Sequence, residues 1–176
     1  MNTKYAFGVS NEFKMNDDKK IIYENDGIKI TAFNVDHYPV KPSIGYAIEY
    51  NNKKVVLSGD TKANKVVFEM ATNADLLVHE AILNSLLKNT VKILESKEMH
   101  RNSHIVHDIQ DYHTPPNEIV KLANKANVKT LVLHHLTPSP DNIIIKKLYE
   151  KQIKNFNGKV YLANDGDKFI VKQDEK

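Results

Sequence analysis

Apolar and polar positions alternate over residues 28–35, Ile-Lys-Ile-Thr-Ala-Phe-Asn-Val, the period of a strand with one buried face. The same alternation returns over residues 45–50. After Asn51-Asn52 the chain runs into Lys53-Lys54-Val55-Val56-Leu57, so these segments read as a hairpin. Residues 74–78 and 130–133 are short apolar runs of the kind that form buried strands. Helical spacing predicts a helix over residues 82–98, carried by Ile82, Leu83, Leu86, Leu87, Val91, Ile93 and Leu94. A second helix is expected after Thr114, with Thr114 as its cap and Pro115 in its first position. A third is expected from Asp141 toward Phe156. Residues 159–162 and 168–171 read as a closing hairpin across 164–167. Residues 1–20 show no periodicity and are expected to be a poorly ordered lead-in, leaving 21–176 as one folded unit. Strands mixed with following helices make the class α/β with layered packing.

Composition adds little. In 176 residues, 41% are hydrophobic and 27% charged, as in ordinary globular chains, and the net charge is +3. The lysines are spread along the chain, which reads as a solvated surface more than a nucleic-acid footprint. No apolar run approaches a bilayer span, and no apolar leader is seen near Met1, so a cytoplasmic location is expected. The absence of cysteine removes disulfides and thiolate metal sites.

Histidine changes the picture. His37, Asp60 and His135 each follow a predicted strand, where a rigid sheet aims side chains at a common point. Imidazole and carboxylate bind zinc, manganese or iron without thiolates, and a carboxylate can bridge two ions that together activate water. Taken singly, His37 reads more often as a loop residue, Asp60 as a turn residue, and His134-His135 as one core and one surface histidine.

The order of segments carries more. Residues 35–46, Val-Asp-His-Tyr-Pro-Val-Lys-Pro-Ser-Ile-Gly-Tyr, resemble the third motif of the metallo-β-lactamase superfamily in its ribonuclease Z and arylsulfatase-like branch. Residues 55–61, ending Ser58-Gly59-Asp60-Thr61, resemble the fourth motif, and Leu77-Val78-His79-Glu80-Ala81 its HEA box. Asp111-Tyr112-His113-Thr114-Pro115-Pro116 resembles the branch's HST-type loop, and residues 131–138 the fifth motif. The resemblance implies a metallo-β-lactamase αβ/βα sandwich, of which this chain supplies mainly the C-terminal half. It implies His37, Asp60 and His135 as metal ligands, with Asp60 bridging two zinc ions (or manganese or iron). It implies His113 as general acid, and His79 and Glu80 as groups that position others or relay protons. His134 has no implied role. His100, His104, His107 and Asp108, at positions the family does not use for ligation, are expected as loop or substrate-side residues.

The superfamily's HxHxDH motif is not found in the chain. The expected activity is hydrolysis of phosphate or sulfate esters by a truncated form. The alternative is a non-catalytic homologue serving as a structural or binding module. Ribonuclease Z enzymes commonly carry a long arm between the third and fourth motifs, and the tight turn at Asn51-Asn52 leaves no room for one. A small ester is therefore expected over tRNA as the substrate. An apolar sheet face including Val55, Leu57, Leu77, Leu131 and Leu133 is expected to lack a partner, implying self-association or a separate N-terminal half.

Overall fold

The computed structural model describes residues 11–173. Seven strands form one sheet in sequential order: β1 (Lys19–Asn25), β2 (Ile28–Asn34), β3 (Ile44–Tyr50), β4 (Lys53–Leu57), β5 (Leu76–Ile82), β6 (Thr130–Thr137) and β7 (Lys159–Leu162). β1 to β4 make an antiparallel meander, and β4 to β7 pair in parallel. The helices are α1 (Lys65–Met70), α2 (Asn84–Ser96), α3 (His100–Asp108), α4 (Pro116–Lys125) and α5 (Ile143–Ile153). The class is the α/β arrangement expected. Among the described residues no helix is long and apolar enough to cross a membrane.

One face of the sheet carries the core. Phe33, Ala47, Val56, Leu77, Leu131 and Leu133 point into a cluster with Val67 and Phe68 of α1, Ile119, Val120 and Ala123 of α4, and Tyr149 and Ile153 of α5. Leu77, Leu131 and Leu133 are therefore buried under helices, which corrects their expected place on a bare face. The register puts Ile48, Val55, Leu57 and Val78 together on the opposite face, where all four are half-buried. Adjacent residues on a strand point to opposite faces, and apolar runs such as Leu-Val-Leu leave open which face the helices cover.

Several boundaries move. β1 begins at Lys19, inside the expected lead-in; its residues are mostly exposed, as befits an edge strand, and too polar to announce a strand. Residues 1–10 of that lead-in lie outside the described residues. The expected helix 82–98 starts later, because Ile82 still belongs to β5. The segment with His100, His104 and His107 is helix α3, packed against α2, and not a loop. α4 begins one residue later than expected, with Pro116 in its first turn, and the Thr114 hydroxyl makes no cap bond. α5 is capped by Asn142, whose side-chain oxygen accepts from the N–H groups of Ile144 and Ile145 at 3.0 Å each, and not by Asp141. Residues 164–167 do turn, through Asp167 N–H to Asn164 O at 3.1 Å, but residues 168–171 form no strand.

Candidate active site

Strand direction gathers the site. β2 is antiparallel to β3, and β3 to β4, so β2 runs the same way as β4, β5 and β6. Their carboxyl ends share one edge, where open α/β sheets bind ligands. His37 follows β2, Asp60 follows β4, Glu80 lies within β5, and His135 lies within β6. His113 arrives from the loop between α3 and α4. The rings of His37 and His113 are 5.1 Å apart, those of His113 and His135 5.7 Å, and Tyr112 stands 4.9 Å from His37. His135 Nε2 is 3.6 Å from Asp60 Oδ2.

The pose of His135 has a backbone cause. Glu80 pairs with His134 and Ala81 with Leu136, so His135 is an extra residue in β6. It bulges with φ of +47°, a left-handed conformation that costs a side-chain-bearing residue about 1–2 kcal/mol. A bulge re-aims a side chain that regular alternation would send elsewhere.

Hydrogen bonds tie the loops together. The Thr61 hydroxyl accepts from Asp36 N–H at 3.1 Å and donates to Lys62 O at 2.7 Å, and Lys62 N–H donates to Asp36 O at 2.8 Å. Ser43 donates to Asp60 O at 3.1 Å. The Thr114 hydroxyl donates to Thr61 O at 2.8 Å, and Ile82 N–H donates to Thr114 O at 3.0 Å. Gly59, with φ of +63°, makes the turn before Asp60; a Cβ there would stand 2.7 Å from Ile44 O.

Glu80 is fully buried, and both its oxygens are used. Oε1 accepts from Thr114 N–H at 2.9 Å, and Oε2 from His113 Nδ1 at 3.1 Å. That bond places the proton on Nδ1 and directs Nε2 of His113 outward. His79 differs from expectation in its surroundings. Its ring stacks on Phe68 at 5.7 Å, and its Nδ1 donates to the Glu80 carbonyl at 2.7 Å. Its Nε2 is buried without a partner, and burial pulls its pKa below the ordinary histidine value, against the raising effect of the Glu80 charge. His134 is also pulled down, first by burial and then by His135. The linkage of Glu80 to His113 escaped the sequence, because 33 residues separate them.

A tetrahedral zinc places two of its donor atoms roughly 3.3 Å apart, so the facing Asp60 and His135 atoms suit two ligands of one ion. A catalytic zinc takes three protein ligands. Among the described residues no group of three or more histidine and acidic side chains is arranged to hold an ion. The pair fits a metal; the described residues close no metal site by themselves. His100, His104 and His107 stand on α3 and line a pocket with Glu95, Ser103 and Asp108 that includes none of His37, Asp60, His113 or His135.

The family model of the β-lactamase superfamily domain matches residues 4–136. Ribonuclease Z of Mycobacterium tuberculosis (strain H37Rv) is 32% identical over 143 residues, 81% of this chain and 48% of that protein. Ribonuclease Z of Mycobacterium marinum is 31% identical over 82% of this chain and 48% of its own length. The chain thus spans about half the length of the curated relatives it matches. The metallo-β-lactamase-fold protein YhfI from Bacillus subtilis superposes with a TM-score of 0.58 at 20% identity, over 82% of this chain and 50% of that one. Zn(2+)-bound PqqB from Methylobacterium extorquens gives 0.54 at 16% identity, over 86% and 50%. The chain belongs to the metallo-β-lactamase superfamily, on its ribonuclease Z side.

Proposed function

We propose that these residues form part of the active site of a metal-dependent hydrolase of phosphate or sulfate esters, completed by ligands from outside the described residues. The observation that carries this reading is the gathering of His37, Asp60, His113 and His135 at one sheet edge, with Glu80 fixing the His113 ring. A bound zinc, manganese or iron ion would supply Lewis acidity and an activated water. The chain's own part is to hold that ion through Asp60 and His135, with His37 beside His113. With Nδ1–H held by Glu80, a His113 ring protonated on both nitrogens would deliver its Nε2 proton to the leaving oxygen and be left neutral with the proton on Nδ1. The loop bonds hold these groups in place without help from the ligand.

A small ester is favoured as substrate, because β3 and β4 are joined by Asn51 and Asn52 alone. The matched relatives are named ribonuclease Z, so precursor tRNA is the competing substrate. The second reading, a non-catalytic module, is favoured by the lack of a three-donor group among the described residues.

Elemental analysis of the purified chain tests the assignment. Zinc or manganese is expected to be retained weakly, and less in His37→Ala, Asp60→Ala and His135→Ala. Metal content untouched by all three changes overturns it. Adding the N-terminal half of a relative and assaying a nitrophenyl phosphodiester, a nitrophenyl sulfate and precursor tRNA in parallel ranks the substrates.

A further inference from the structure

β4 leaves the sheet before its neighbour β5 does, and Asp60 sits in the stretch that leaves. β4 ends at Leu57, whereas β5 continues to Ile82. Along a parallel strand, alternate residues address the same neighbour with both N–H and C=O. Ser58 N–H donates to Val78 O at 3.0 Å, so Val78 addresses β4, and Glu80, two residues on, faces the same side. The next rung of a regular ladder would join Asp60 N–H to Glu80 O. Gly59, at φ of +63°, turns the chain at that point, and two side chains take over from the strand. Glu80 N–H donates to the Ser58 hydroxyl at 3.4 Å, and that hydroxyl donates to Gly59 O at 2.6 Å. Glu80 O accepts from His79 Nδ1 at 2.7 Å. Ser58, His79 and Glu80 are all fully buried, where an unpaired backbone group is costly.

We propose that His79 is a positioning residue for Asp60: its imidazole takes the rung that a continuing β4 would have filled, and so lets the turn at residues 58–61 leave the sheet and aim the Asp60 carboxylate at His135. The chemistry suits holding and not proton relay. A backbone carbonyl accepts a hydrogen bond and passes no proton on, so the Nδ1–H bond is an end point. Nε2 is buried without a protein partner among the described residues, and the ring stacks on Phe68 of α1. The Glu80 carboxylate, by contrast, serves His113 and Thr114. Two adjacent residues of β5 thus divide the site, His79 holding the turn of Asp60 and Glu80 the ring of His113. That Asp60 serves a metal rests on the hydrolase reading; that His79 holds the turn does not.

Amide hydrogen exchange on the full chain, treated with a chelator, tests it at residues 59–62, beside the nitrogen-15 shifts of the His79 ring. The wild-type ring should carry its proton on Nδ1; a proton on Nε2 overturns the proposal. His79→Phe keeps a ring against Phe68 and removes the donor, so exchange at 59–62 should rise about tenfold, the worth of one lost hydrogen bond, with β2 and β3 changing less. His79→Asn places an amide N–H where Nδ1 stood and should restore the protection. His79→Gln places its amide where Nε2 stood and should not. The contrast between His79→Asn and His79→Gln carries the test if His79→Phe does not fold. Equal exchange at 59–62 in those two variants overturns the proposal, as does wild-type exchange in His79→Phe. A rise of the same size in β2, β3 and the turn also overturns it, in favour of core packing alone. Metal content untouched by Asp60→Ala would sink the hydrolase reading and leave each of these outcomes as decisive as before.

Discussion

Replacing Glu80 with alanine tests the bond that orients the candidate acid. Glu80 is 0% exposed and holds two donors, Thr114 N–H at 2.9 Å and His113 Nδ1 at 3.1 Å. Removing it strands both donors in or near the interior, at about 1–3 kcal/mol for each unmet group. The shortened side chain also leaves a void. The expected loss is about 3–5 kcal/mol, in line with breaking a buried pair from one side. That is a large share of the roughly 5–15 kcal/mol that holds a domain folded. For a chain of this size each kcal/mol moves the melting midpoint by about 2–4 °C, so Glu80→Ala should melt some 10 °C lower. Glu80→Gln keeps an oxygen for Thr114 N–H but turns an amide NH2 toward His113, so it should cost less, about 1–2 kcal/mol. It should also move the His113 proton from Nδ1 to Nε2, visible in the nitrogen-15 shifts of the ring. Urea melts of the three proteins with those spectra decide the matter. Glu80→Ala within about 1 kcal/mol of wild type, together with an unchanged His113 tautomer in Glu80→Gln, would refute the reasoning.

Other outcomes are equally specific. Gly59→Ala should lose about 2–3 kcal/mol in urea melts, because φ of +63° is left-handed and the new Cβ would meet Ile44 O at 2.7 Å; an unchanged midpoint would show that the turn relaxes freely. His79 predicts an acid limb. Burial holds its folded pKa below the ordinary histidine value of about 6.5, so above that pH it is neutral in both states and its contribution is complete. Below it the unfolded chain gains a proton that the folded chain refuses, and stability falls with a slope of up to about 1.4 kcal/mol per pH unit. Urea midpoints should therefore decline from about pH 6.5 downward, less steeply in His79→Gln, and a flat profile would contradict the buried neutral ring. The half-buried face bearing Ile48, Val55, Leu57 and Val78 should drive self-association in sedimentation, reduced by Val55→Lys; a monodisperse wild-type monomer would show that this face is self-sufficient.

Much of the architecture was legible where one face of a strand is wet. Residues 28–35 and the hairpin around Asn51-Asn52 announced β2, β3 and β4, because alternation and a two-residue turn are local signals. The parallel strands β5 and β6 were visible as apolar runs, but their orientation was not, since Leu76-Leu77-Val78 and Leu131-Val132-Leu133 offer apolar side chains to both faces. The predicted helix over 82–98 matches α2 closely, whereas α3 was expected as a loop because its apolar positions are few; Glu98, with φ of +58°, separates the two. The candidates His37 and Asp60 follow strands as expected, whereas His135 lies within β6 and not after it. The partnership of the site residues was not legible: the Glu80 bonds to His113 and Thr114, the Thr61 hydroxyl to Asp36, and the bulge at His135 all depend on register between distant segments.

The bulge in β6 makes the histidine doublet a degenerate address. One surplus residue, His135, is accommodated between the paired His134 and Leu136, and the residue just before it carries the same ring. Moving the bulge back by one place would turn His134 toward Asp60 and return His135 to the ladder, with no change in the chemistry offered. Loss of one imidazole can thus be masked by a one-residue slip of backbone. A His135→Ala variant therefore reports on the position only when paired with His134→Ala/His135→Ala, and the difference between the two measures how firmly the strand holds its register.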